Sequence, residues 1–462
     1  MAFEGEFASY EPLRRLLVSE KVKALEKRFK KRQKEEDTDN FESVITKKSD
    51  LSESNLQPDL VLAIDGSHLE AMVDNGFPCA EIGYVTVASV LIDLKKIGEL
   101  EKEEFIDPQK FRDTEKASTI ESVFPGCNII LDEEKSAKSS LRRALYEELR
   151  SNKFFENGET LFETYEYLLN LKIKLFSDSS SPKCPIEGFE EKHKLTYGFG
   201  EYTCPDTNEP LFSTDALRLH ELMNPSGSNG EMFGQIMATL EKLMLIHLLR
   251  AFEIKDKQEK GWLATLRRVA FIIDGPLAVF STSSWLTKVI NYEIERINRL
   301  QKQINGQDLL IIGIEKTGTF VNHFEAIDTT KDGISDKFPK QSALLLDDNY
   351  IKRNIIFSES NKPYGQDTYF GRKFFYKTVH GQRIVTTTAT YNKEQENLST
   401  AYPNQFSRLA DVMNLLDKLF CSRYPNAVSP LVSAHAEAAI PLSLGKKIFD
   451  DIAREIRENS RI

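Results

Sequence analysis

The sequence predicts an α/β protein: a mixed sheet flanked by helices, with large insertions and an N-terminal helical extension. Two short segments share one design, an apolar β-type run ending in Asp-Gly: LVLAIDGS over Leu60–Ser67 and VAFIIDGP over Val269–Pro276. Runs of this length and β-branched content read as buried strands, each closed by a glycine turn. The second observation is alternation of strand and helix patterns: an amphipathic helix at 284–303 precedes another buried strand at 308–314. The third is a helix at 231–253 whose stretch LMLIHLL is apolar on nearly all sides, as in a large core.

The remaining elements follow in order. Residues 10–36 carry a helical pattern ending in a charged run, Lys27–Lys34, which reads as a solvated helix face diluted by Glu35, Glu36 and Asp37. Residues 37–58 are polar and read as a linker, so 1–57 is expected as an extension and 58–462 as the main domain. Residues 79–92 read as a strand pairing antiparallel with 60–65. Residues 136–176 look helical, 181–212 look like an irregular cysteine-bearing insert, and 366–390 read as a hairpin around His380-Gly381-Gln382. Helices are expected at 404–421 and 442–458.

Composition narrows the function classes. The formal net charge of −10 counts against coating nucleic acid by bulk electrostatics, but it leaves room for a basic channel in an acidic protein. Five scattered cysteines fit a reducing compartment, the first residues lack the form of a signal peptide, and no apolar run reaches membrane-spanning length. A cytoplasmic protein with no membrane role is expected. There is no Gly-x-x-x-x-Gly-Lys-[Ser/Thr] loop, so the chain is not expected to power translocation, and no Gly-x-Ser-x-Gly elbow of a serine hydrolase.

A carboxylate at the end of a buried strand is costly unless a cation meets it. One such Asp is an ordinary turn starter; two from one sheet suggest a site for hard divalent ions. An RNase H-like sheet would collect one acid from the first strand, one from a helix after the meander and one from a later parallel strand. A fourth group would come from near the last helix. This chain can supply Asp65, a helical Glu, Asp274 and His435 in that order. Glu241, on an otherwise apolar stretch, is preferred over Glu253 for the helical position. Two-metal hydrolysis needs such clustering, and oxygen-rich sites favour Mg²⁺ or Mn²⁺.

Leu60–Ser67, Phe271–Phe280 (FIIDGPLAVF) and Ser433–Leu442 (SAHAEAAIPL) resemble the three signature stretches of the NurA nuclease family. Gly313–Phe320 (GIEKTGTF) and Gly371–Lys377 (GRKFFYK) resemble further family segments, and the resemblance runs from about residue 58 to the C-terminus. It implies an RNase H-like fold and a metal-dependent nuclease that processes DNA ends. It also implies a homodimer working with a hexameric HerA-type ATPase. The family's acids transfer onto Asp65 and Asp274 and its histidine onto His435. Lys316 is expected either at a scissile phosphate or in an ion pair, and Arg372 and Lys373 on DNA backbone. The competing expectation is a catalytically inactive RNase H-like scaffold that binds nucleic acid. In the insert, Cys184-Pro185 and Cys204-Pro205 each look like half of a zinc knuckle. His193 and His220 do not complete a standard spacing, so a metal-free remnant is expected.

Overall fold

The structure is a computed structural model. It describes residues 10–29, 44–52, 58–73, 80–96, 115–153, 158–175, 184–186, 199–280, 284–329, 333, 337–419, 429–439 and 454. The chain divides into two units, residues 1–41 and 42–462. The first carries helices α1 (Glu11–Val18) and α2 (Glu20–Glu26), with Ser19 capping α2 by accepting the Val22 N–H.

The second unit is built on a mixed sheet. Its strands are β1 (Ile45–Lys47), β2 (Leu60–Met72), β3 (Glu81–Asp93), β4 (Glu115–Pro125), β7 (Val269–Asp274), β8 (Leu310–Glu315), β9 (Ser342–Leu345), β10 (Gly371–Lys377) and β11 (Arg383–Ala389). Their order is β1-β9-β10-β11-β8-β7-β2-β3-β4. A separate small hairpin is formed by β5 (Glu201–Thr203) and β6 (Pro210–Phe212) inside the cysteine insert. Strands β2, β7 and β8 run parallel to one another, and the other pairings are antiparallel. The expected antiparallel pairing of the first two strands forms, but it runs from Leu60↔Asp93 on to Met72↔Glu81, so β2 continues through Asp65-Gly66 where a turn was expected. The hairpin around His380 is β10–β11. Residues 45–47, expected within a linker, instead add an edge strand.

Side-chain alternation along the central strands gives the sheet two buried faces. Leu62, Ile64, Phe271, Ile273 and Ile311 face a large core shared with α3 (Ala137–Ser151), α4 (Leu161–Leu175), α5 (Gly230–Gln258) and α7 (Ser284–Asn305). The short helix α6 (Trp262–Thr265) lies between α5 and β7 in the chain. Val61, Ala63, Ala270, Ile272, Ile312 and Ile314 face the other way. That second face is covered by α10 (Leu409–Leu419) and α11 (Ser429–Ala438). Helices α8 (Thr319–Asp328) and α9 (Asp348–Asn354) complete the described set. By length and composition α5 could cross a membrane, yet 78% of its most apolar stretch is buried inside the protein, which makes it a core helix.

Helix α5 runs on to Gln258, so Glu253 is not its terminus. Asp256 closes the helix by accepting N–H bonds from Gly261 and Leu263. His435 lies within α11. The helix expected at 442–458 lies outside the described residues, apart from Arg454.

Candidate active site

The register of the parallel strands creates the site. Ile64 pairs with Ile273, so Asp65 and Asp274 stand at the same level on neighbouring strands, one step past the last paired position. Alternation puts both on the α10–α11 face, next to Ala63 and Ile272. Asp274 in turn pairs with Ile314 on β8, and Lys316, two residues on, falls on the same face. Lys316 Nζ is 3.0 Å from Asp274 Oδ2 and 4.0 Å from Asp65 Oδ2. His435 Nδ1 comes from α11 to 3.1 Å from Asp65 Oδ2. The C-terminal end of α11 is tied to the sheet by the Thr86 hydroxyl, which donates to the Ala438 carbonyl.

Glu241 reaches the same place from the opposite helix layer because residue 66 is glycine. A Cβ on Gly66 would lie 2.7 Å from Glu241 Oε1 and 2.6 Å from Met237 Cγ. The missing side chain lets α5 press against the middle of β2, just past its pairing with β7. Glu241 is buried and paired with the equally buried Lys242 at 2.9 Å.

The electrostatics are those of crowded acids. Burial, then the Asp274 carboxylate, then Glu241 push the Asp65 carboxyl up to about 8, with Lys316 the main opposing influence. Burial also raises Glu241, against the pull of Lys242 and the Gly66 N–H. Three carboxylates thus face two lysines, and Asp65 is only 2% exposed. That donor set suits hard divalent ions, whose charge would relieve the mutual repulsion. Among the described residues no three His, Cys, Asp or Glu side chains stand in metal-ligating geometry. Two ammonium groups, Lys316 and Lys242, sit among the acids instead.

Glu253 lies elsewhere. Burial would raise its carboxyl, but Arg296 and Lys257 hold it below the usual range. Arg372 and Lys373 are a correction to the expected DNA contacts, because both faces of β10 are covered by protein. Arg372 is 1% exposed and donates to the carbonyls of Gln395, Asn397 and Thr400, with its guanidinium 4.8 Å from the Phe406 ring centre. Burial pulls it down to about 10. Lys373 is ion-paired with Glu315 at 2.6 Å and lies over the Phe320 ring. Both hold the fold together. The partner of Glu241, Lys242, is signalled in the sequence only as a charge embedded in an apolar helix beside a candidate ligand.

In the insert, Cys184 and Cys204 are buried together with Ile186 and Leu211. The Ile186 N–H points to one sulfur and the Asp206 and Thr207 N–H groups to the other, as in a knuckle. His220 is buried, and burial lowers it to about 4; His193 lies outside the described residues.

Aspartates side by side on neighbouring strands, with a glutamate pressed in from a core helix, form an acidic cluster on a mixed α/β sheet. The family model for the NurA domain matches residues 59–440, and the chain belongs to the NurA family of nucleases. Among solved structures, the chain is similar to "Crystal structure of the NurA nuclease from Sulfolobus solfataricus", with 10% identity, 98% of each chain covered and a TM-score of 0.34. A second, "Crystal structure of NurA", shows 10% identity, 94% of each chain covered and a TM-score of 0.29. A search of curated proteins finds no match.

Proposed function

We propose that this nuclease is metal-dependent, acts on DNA, and processes DNA ends together with a hexameric HerA-type ATPase. The observation that carries the metal-dependent reading is the convergence of Asp65, Glu241 and Asp274 where the β2–β7 pairing stops, with less cationic charge than acid. Asp65, Asp274 and Glu241 would hold Mg²⁺ or Mn²⁺, with His435 at the margin. When bound, such ions polarise the phosphodiester and make water a competent nucleophile near neutral pH. The chain's own groups then have definite tasks. Asp65 and Asp274 fix the position of attack. A carboxylate at Asp65 accepts from His435 Nδ1, which leaves Nε2 with the lone pair to receive or pass a proton. Lys316 supplies the positive charge nearest the site that can meet a phosphate. The homodimer and the ATPase partner rest on the family resemblance and on the absence of an ATP-binding loop in this chain.

The test is digestion of linear DNA by the purified chain with Mn²⁺ or Mg²⁺ and with EDTA. Cleavage should need the metal, and Asp65→Asn or Asp274→Asn should lower it roughly a thousandfold, since several kcal/mol of charge stabilisation is lost. Unaltered melting temperatures would show that the fold survives. Near-normal cleavage by either variant would remove the site from its place in the mechanism.

A further inference from the structure

Among the described residues, Lys316 is the site residue whose side chain lies between Asp65 and Asp274. Its backbone is fixed. On one side the Gly275 N–H donates to the Ile314 carbonyl, and on the other Glu315 pairs with Val385. Gly313 makes the first arrangement possible, because a Cβ there would lie 2.5 Å from the Gly275 carbonyl oxygen. The side chain beyond that rigid base is 37% exposed, so it has room to turn outward. The neighbouring acid, Glu315, is already matched by Lys373 and leaves Lys316 to the two aspartates. Lys242 is equally committed, to Glu241.

Charge counting then gives a simple result. With Lys242 matched to Glu241, the remaining acids Asp65 and Asp274 carry two negative charges when ionised, and Lys316 neutralises one. Without Lys316 the pair presents the charge of one divalent ion. An ammonium 3.0 Å from Asp274 Oδ2 and 4.0 Å from Asp65 Oδ2 occupies the region where a cation shared by these oxygens would lie. It cannot share that region with a metal ion, because both are positive and both need the same lone pairs.

We propose that Lys316 is a built-in counter-ion of the metal-free site, displaced outward when a divalent ion binds between Asp65 and Asp274. The inference rests on the metal-dependent reading above and adds a role for a residue of this chain. The displaced ammonium stays anchored at the rim by β8 and is delivered to the side from which a phosphate would approach. When both acids are ionised, the metal-free protein thus avoids leaving two bare carboxylates together, and metal binding and exposure of the lysine become one event. Lys316 acts on the metal through competition for oxygens, so it is a positioning residue in the metal-free state.

Two measurements test this without DNA. In the first, wild-type protein is acylated at lysines with an amine-reactive ester, with and without Mg²⁺, and Lys316 is followed by mass spectrometry. Release predicts labelling of Lys316 several-fold faster in Mg²⁺, while Lys377, buried against Asp328, stays unchanged. In the second, Mg²⁺ is titrated calorimetrically into wild type, Lys316→Met, Lys316→Arg and Asp65→Asn. Removing a part-exposed competitor should tighten Mg²⁺ by about tenfold in Lys316→Met, with Lys316→Arg near wild type. Unchanged labelling, or equal affinity in Lys316→Met and wild type, would overturn the inference and leave the metal reading standing. Failure of wild type and Lys316→Met alike to bind Mg²⁺ would overturn both. If Lys316→Met does not fold, the labelling of wild type with and without Mg²⁺ still decides.

Discussion

Helix α5 carries two buried glutamates in two opposite settings, and the contrast separates a candidate site from a structural brace. Glu253 belongs to a ladder of matched charges. Arg296 bridges Glu253 and Glu293, Arg250 bridges Glu293 and Glu159, and the Tyr167 hydroxyl donates to Glu293. Every acid there meets a guanidinium, whose fork satisfies carboxylates in fixed geometry. Glu241 meets one lysine and stands near two further acids that share a single lysine. Guanidinium forks make an acid cluster permanent. Lone ammonium groups leave oxygens under-satisfied and replaceable. Acid count therefore says less about function than the identity of the bases around it.

The sharpest way to break this comparison is to neutralise each glutamate in turn. Glu241→Gln should lower metal-dependent cleavage by roughly a hundredfold or more, as expected for loss of a charge at the reacting centre. Glu253→Gln should leave cleavage within about threefold but cost about 1.5–3 kcal/mol of stability, the range for hydrogen bonds to charged groups. Cleavage rates and denaturant melts of the two variants give the answer together. The reverse ranking would move the helical acid about 18 Å along α5, twelve residues at the helical rise.

Much of this geometry was legible in the chain. The strands β2, β7 and β8 announce themselves by β-branched runs, and Asp274 by ending its run, whereas β2 continues past Asp65 to Met72, which the Asp-Gly dipeptide does not reveal. The side-by-side register follows once both strands are parallel neighbours. The preference for Glu241 came from its apolar surroundings, and the structure places it beside Gly66. Other features depend on residues far apart in sequence. Nothing near Arg372 or Lys373 says that loops at 395–400 and the Phe320 ring will cover a hairpin that reads as exposed. Strand β4 carries Ile120, Ser122 and Phe124 on its buried face, an alternation that could have been read but is diluted by flanking charges. β1, three residues long, has no pattern to detect.

Midway between the two glutamates lies His247, which sharpens the same comparison through pH. Its Nδ1 is 2.8 Å from the Thr164 hydroxyl, and burial lowers it to about 4. The unfolded chain takes up the proton near pH 6.5, and the folded one only near pH 4. Stability is therefore retained above about pH 6.5 and lost as pH falls toward 4, by about 1.4 kcal/mol per unit. His247→Gln should flatten that part of the stability–pH curve, measured by urea melts between those limits. An unchanged slope would mean that His247 binds its proton alike in the folded and unfolded chains and that burial does not hold it neutral.

The smallest expected effect concerns the glycine that brings the two layers together. Gly66→Ala places a methyl 2.6 Å from Met237 Cγ and 2.7 Å from Glu241 Oε1, closer than real contacts allow. Met237 is flexible and can yield, and so can the glutamate tip, so the cost in stability should be only about 1–3 kcal/mol, as for other overpacked sites. The consequence for the site is more specific. The carboxylate must withdraw from β2 at residue 66, whereas Asp65 and Asp274 stay on their strands. Mg²⁺ affinity should then fall by about tenfold, matching a part of the Glu241→Gln effect, while the brace around Glu253 is untouched. Calorimetric titration of Gly66→Ala beside Glu241→Gln makes the comparison. Equal Mg²⁺ binding in Gly66→Ala and wild type would show that the close approach of α5 serves packing alone, and that Glu241 can reach the ion from further away.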